Sequence, residues 1–168
     1  EGKAPSASGN GHPFLAPFGI FPALDGKVAI GVVEDRFWVS LVTAIGLPKY
    51  ATDPRLATLP ARKKNIKYVN HLVSGWTAKF SKSELSKKLG GRVPFGPVNN
   101  VEDIIKDRHT KARKMVTSIP NPEEESESWL VASNPLNFDE KPKPILKAPP
   151  RLGEHNKFYL DQMRKIKK

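Results

Sequence analysis

Apolar positions alternate on both sides of Asp25-Gly26, from Phe18 to Val33, and this alternation predicts a β-hairpin. Asp-Gly suits a two-residue turn whose central positions need positive φ. In the second strand Val28, Ile30 and Val32 point one way, and Ala29, Gly31 and Val33 the other. The first face is bulky and the second mostly small, which leaves room for a closely packed helix on the small side. Pro22 has no N–H to give to a ladder, so the first strand is expected at an edge or with a bulge.

Beyond the hairpin the period changes to helical. Glu34 or Asp35 caps a helix with Phe37, Trp38, Leu41, Val42 and Ile45 on one face, and Gly46 followed by Pro48 closes it. Asp53-Pro54 starts a short turn through Ala57. A single long helix is expected from about Pro60 to Phe80, burying Ile66, Val69, Val73 and Trp76. Ser81 and Glu84 have capping-box spacing for another helix that carries Leu85 and Leu89 inward. Arg92 to Asn100 is too rich in Pro and Gly for regular structure and is expected as a stiff, extended loop. Asn100 then caps a short helix over 101–106, with a second over 108–113. Met115 to Ile119 and Trp129 to Ala132 read as strands around the solvated acidic loop Glu123, Glu124, Glu125, Glu127. Asp139 to Pro150, with four prolines, reads as an extended connector, and Asn156 caps a last helix carrying Tyr159, Met163 and Ile166. The sum is an α+β chain: a hairpin, about four helices, a second strand pair, a connector and a terminal helix.

Composition narrows the chemistry. The 168 residues suffice for one domain with a real core, and 38 % are hydrophobic. No apolar run approaches the ~20 residues that cross a bilayer. The absence of cysteine excludes disulfides, thiolate metal sites and a cysteine nucleophile. No metal-ligand spacing surrounds His71 or His109. Net charge is +11, and Arg62 to Lys88 holds eight basic residues against the single Glu84. No aromatic is interleaved with them as a stacking platform requires, so a solvated helix face explains the run better than a nucleic-acid stripe. Glu1 to Gly9 is polar and small, without the apolar core of a signal peptide. The chain starts without methionine and ends on Lys-Ile-Lys-Lys inside a helical pattern, which reads as a segment of a longer protein.

Four stretches carry a resemblance. They are Gly9-Asn10-Gly11-His12-Pro13 with Ala16-Pro17-Phe18-Gly19-Ile20-Phe21; Asp53-Pro54-Arg55-Leu56-Ala57-Thr58 with Ala61-Arg62 and Asn65; Val93-Pro94-Phe95-Gly96-Pro97-Val98-Asn99; and Pro149-Pro150-Arg151-Leu152-Gly153-Glu154-His155. In this order and spacing they resemble the C-terminal half of the family III CoA-transferases, which include formyl-CoA and carnitine-CoA transferases and the 2-methylacyl-CoA racemases. The resemblance implies a small α+β domain over 18–138, entered by a loop or linker over 1–17. It also implies a connector and helix, 139–168, returning to a large α/β domain outside this chain. It implies CoA transfer between an acyl-CoA and a carboxylic acid through an aspartyl-CoA intermediate, in an interlocked homodimer with no tightly bound cofactor. A cytoplasmic location is expected, mitochondrial or peroxisomal if the source is eukaryotic.

No aspartate here matches the family's nucleophile motif, so no catalytic residue is assigned. The resemblance makes Gly9, Asn10, Gly11 and His12 candidates for a substrate-facing loop, where composition alone favours an ordinary linker. It makes Glu154 and His155 candidates for contact with the large domain. The alternatives are a segment of a racemase-like enzyme, in which a His and Asp pair moves a proton next to the thioester carbonyl, and a non-catalytic basic binding or interaction domain.

Overall fold

The computed structural model describes residue 4 and residues 7–124, 126–136 and 147–166. It is an α+β structure whose contacts group into two compact units, Glu1–Val98 and Asn99–Lys168.

The first unit is built on the hairpin of β1 (Phe18–Ala23) and β2 (Gly26–Gly31). Register runs from Phe18 opposite Gly31 to Ala23 opposite Gly26, so the two-residue turn is Leu24-Asp25, one position earlier than expected. The shift has a cause in packing. Leu24 N–H donates to Phe80 O at 2.8 Å, and Asp25 Oδ1 accepts from Lys82 N–H at 2.7 Å. The turn is thereby clamped to the junction of two helices. β1 lies at a sheet edge, which accommodates Pro22 without a bulge.

Val28, Ile30 and Val32 are buried, as the alternation requires, and the helices pack on that bulky face. Helix α1 (Asp35–Ala44) contributes Trp38, Leu41 and Val42. It ends at Gly46, φ 76°, with Leu47 N–H on Val42 O and Gly46 N–H on Thr43 O, the paired bonds of a Schellman closure.

The single helix expected from Pro60 to Phe80 is two, α2 (Leu59–Lys64) and α3 (Ile66–Thr77). Asn65 interrupts them at φ −105°, ψ 27°, and its Nδ2 donates to both Ala61 O and Arg55 O. A side chain that binds backbone carbonyls competes with continuation of the helix. Val69, Val73 and Thr77 form the buried stripe, with Ile66 and Trp76 half-buried. α4 (Lys82–Leu89) starts with the expected capping box of Ser81 and Glu84, whose hydrogen bonds to Ser81 also lower the Glu84 pKa. Leu85 and Leu89 complete the core.

The stretch from Arg92 is not all loop: Phe95–Val98 forms β3, antiparallel to β2, giving the order β1-β2-β3. β3 is the other edge, where Pro97 leaves the ladder to β2 intact.

In the second unit, Asn100 and Asp103 form a reciprocal capping box at α5 (Val101–Lys106), and Asp107 caps α6 (Arg108–Ala112). β4 (Val116–Pro120) pairs antiparallel with β5 (Ser128–Ala132) around exposed Glu123, Glu124 and Glu127. Most of the expected connector lies outside the described residues. α7 (Asn156–Ile166) follows, with Phe158, Tyr159, Leu160 and Met163 exposed. Among the described residues no helix is long and apolar enough to cross a membrane.

One side chain joins the pieces of the first unit. Arg62 is fully buried, and its guanidinium donates to Ala16 O (2.8 Å), Leu56 O (2.9 Å), Ala57 O (3.2 Å) and Asp35 Oδ1 (2.7 Å). It also lies 5.4 Å from the Trp38 ring. Arg62→Met keeps the volume but orphans three carbonyls, so it is expected to lower unfolding stability by about 3 kcal/mol or more. Urea unfolding checks this, and a change within experimental scatter contradicts it.

Candidate functional site

The loop over 8–17 is fastened to the sheet and helices at successive points. Gly11 N–H donates to Ser8 O at 3.1 Å and Ser8 Oγ to Gly11 O at 2.8 Å, closing a turn in which Gly9 has φ 60°. His12 Nδ1 accepts from the backbone N–H of Phe14 (3.1 Å) and Leu15 (3.2 Å), which leaves the ring proton of the neutral imidazole on Nε2. Its ring lies 5.1 Å from that of Phe18, and its carbonyl accepts from Lys63 Nζ at 2.9 Å. Ala16 O receives Arg62, and Pro17 O receives Val32 N–H at 2.8 Å.

The closest approach is at Gly19, φ 156°. A Cβ there would stand 2.7 Å from the Asn10 carbonyl oxygen. The missing side chain on β1 is therefore what lets the loop lie against the strand.

The small face of the sheet carries a groove rather than the closely packed helix its size suggested. Phe18 faces Gly31, Ile20 faces Ala29, and Ala29 faces Gly96 across the ladders. Together with Asn10, Gly19, Pro94 and Phe95 the first four of these line an open apolar groove of about 310 Å³. A second cavity of about 190 Å³ adjoins it, sharing Asn10, Phe18, Gly19 and Ile20 and adding Gly11, Phe21, Asn70 and Ser74. Asn70 Oδ1 itself is buried, with no donor in hydrogen-bond reach.

Of the expected loop residues, Asn10 lines both cavities and Gly11 the polar one, while Gly9 closes the turn behind them. His12 lines neither; its Nδ1 organises the backbone. Glu154 and His155 lie far along the chain in the second unit. Glu154 Oε2 accepts from Arg151 N–H at 2.7 Å, closing the turn before α7, and His155 is exposed. Sequence reasoning missed Arg62, Asn70 and Ser74 as site-building residues. Arg62 was within reach, since it lies in the second resembling stretch; Asn70 and Ser74 lie in a helix with no motif around them.

Beside this core the second stretch forms an ion pair. Arg55 donates to Asp53 at 3.1 and 2.7 Å, and with the Arg55 backbone N–H holds the Asp53 carboxyl down at about 2. Among the described residues no three His, Asp or Glu side chains gather at metal-binding distance.

This is a small α+β module with a glycine-bearing loop fixed beside a groove. The family model for CoA-transferase family III matches residues 1–156, and the chain belongs to that family. It is 34 % identical to a succinyl-CoA:mesaconate CoA-transferase of Haloarcula hispanica, over 96 % of this chain and 40 % of that protein. It is 30 % identical to a formyl-CoA:oxalate CoA-transferase of Streptomyces avermitilis, over 92 % of this chain and 37 % of that one. Among solved structures, a CAIB/BAIF family protein from Brucella suis superposes with a TM-score of 0.77 and 28 % identity, over 96 % of this chain and 41 % of its own. The chain thus spans about two fifths of the length of the curated relatives it matches.

Gly19→Ala is expected to free the loop from β1 at a cost of about 1–3 kcal/mol, through an imposed clash and an unfavourable φ. Faster amide exchange at Asn10 to His12 is the readout, and unchanged protection contradicts the packing. For Asp53, a lowered folded pKa means its contribution is complete above pH ~4, the unfolded value, and fades as pH falls toward about 2. Carboxyl NMR titration should give a midpoint near 2, and one at the ordinary aspartate value would refute the pairing.

Proposed function

We propose that this chain is the C-terminal, small-domain part of an enzyme that moves CoA between an acyl-CoA and a carboxylic acid. The observation that carries the reading is the family match over residues 1–156, together with relatives that are named CoA-transferases of three different substrate pairs. In this reading 18–138 is the small domain, and 139–168 returns to a large domain through a contact that includes Glu154 and His155. The whole protein is an interlocked homodimer located in the cytoplasm. CoA enters only as substrate.

The chemistry is an acyl exchange on a carboxylate. An aspartate outside this chain attacks the thioester carbonyl, releasing CoA thiolate and forming a mixed anhydride. The thiolate attacks the aspartyl carbonyl, freeing the first acid and leaving an aspartyl-CoA thioester. The acceptor carboxylate attacks that thioester, regenerating thiolate and a second anhydride. Thiolate attack on the acceptor's acyl carbon then yields the new acyl-CoA and restores the aspartate. A covalent carboxylate splits one difficult transfer into steps of lower barrier. This chain's part is to hold the loop Gly9 to His12 against β1 beside the reacting groups and to limit water there.

The test is intact-mass analysis of the full-length protein after brief exposure to acyl-CoA, with peptide mapping of any adduct. A CoA thioester on an aspartate outside residues 1–168 is expected. Exchange of the α-proton with deuterated solvent without CoA transfer would instead identify a racemase. Salt-sensitive nucleic-acid binding without any CoA chemistry would identify a binding module.

A further inference from the structure

Helix α3 separates two hollows in the first unit. Asn70 and Ser74 line the polar cavity beside β1, and on the opposite side of the helix His71, Leu72, Gly75 and Trp76 line a groove with Leu47 and Lys79. This groove measures about 260 Å³ and shares no lining residue with those beside β1. Its floor is unusual for a helix. Gly75 sits exposed inside the last turn of α3, where glycine is disfavoured against every residue but proline. A Cβ there would meet nothing within 4 Å, so no packing inside the chain requires its absence. The bare backbone leaves a slot in which a ligand can lie directly on the helix.

The walls give the slot a mixed character. Leu47, Leu72 and Trp76 are half-buried and supply its apolar side, and the Trp76 ring is braced by that of Phe80, 5.0 Å away between centroids. His71 and Lys79 stand exposed, one helical turn to either side of Gly75. Among the described residues neither the His71 ring nor the Lys79 amine makes a hydrogen bond, ion pair or ring contact. No carboxylate lines the groove, and between Asp53 and Glu84 the sequence has seven Lys or Arg and no Asp or Glu. Arg55 and Arg62 are compensated by Asp53 and Asp35, whereas the Lys79 charge is not. The field at the groove therefore favours a negative group.

We propose that this groove binds a planar aromatic anion, its ring on the Gly75 backbone against Trp76 and its negative group on the Lys79 amine. Aromatic rings pair best in offset or edge contacts, and the half-buried Trp76 ring offers such a partner. A lysine ammonium is a compact charge on a mobile stem, so it takes a carboxylate or a phosphate without demanding bidentate geometry. The groove's ligand is independent of the CoA-transfer reading, since binding is measured without turnover.

The test titrates naphthoate, naphthyl phosphate and the neutral naphthamide into the full-length protein labelled with fluorotryptophan. Fluorine NMR follows the Trp76 line, assigned by its loss in Trp76→Phe. Naphthoate should shift that line with a Kd of about 1 mM, the weak affinity expected of so small a ligand. Naphthamide should bind about fivefold more weakly, and the tighter of the two anions identifies the negative group. Lys79→Gln should abolish the preference for the anions over the amide. Gly75→Ala should raise the thermal midpoint, because alanine favours the helix, while weakening naphthoate about tenfold by filling the slot. The site is overturned if neither anion shifts the Trp76 line up to its solubility limit, or if the amide binds as tightly as the anions. It is equally overturned if Lys79→Gln keeps the preference or if Gly75→Ala leaves the affinity unchanged.

Discussion

The first unit depends on one buried cation. Arg62 gathers the carbonyls of Ala16, Leu56 and Ala57 and the carboxylate of Asp35, groups from a loop, a turn and the start of a helix. The loop and the turn are not held there by regular secondary structure. A guanidinium suits the task because its planar fork offers donors in several fixed directions and stays charged. Its burial is tolerable because those donors are met and the Asp35 carboxylate compensates the charge. Once Ala16 is fixed, Pro17 can receive Val32, and the stretch from Ser8 to His12 has only a short span in which to lie against β1.

The groove follows from the same arrangement. A small-residue strand face could have received a helix, but α1, α3 and α4 are all engaged on the bulky face around Trp38, Val73 and Leu85. What lies beside the small face is the loop, whose Asn10 lines the groove and packs against β1 at Gly19. The result is a surface whose floor is glycine and alanine and whose rim carries Phe18, Ile20 and Phe95. Fold and candidate site are therefore one construction.

Much of this could be read from the chain. The hairpin, the capping boxes at Ser81 and Asn100 and the Gly46 closure are local signals, and local signals survived folding. The family resemblance was also correct, carried by motifs in order. Three features were hidden because their causes are not local. The turn moved to Leu24-Asp25 because Phe80 and Lys82 hold it; the helix broke at Asn65 because its amide reaches Arg55; and β3 formed despite Pro97 because it lies at an edge. The site was half visible: glycines marked the loop, but no pattern announces that an arginine in a basic run points inward to Ala16, 46 residues away. Asn70 was beyond reach for the same reason, since lacking a partner is a property of a packed interior.

The most direct test of this account is the exchange rate of the Arg62 Nε proton with water, measured by NMR in the folded protein at neutral pH. A proton donated to Ala16 O in a sealed interior should exchange far more slowly than that of a free arginine, opening only with the unit itself. Exchange at the free rate would mean that the guanidinium reaches solvent, and the loop and groove would then need another anchor.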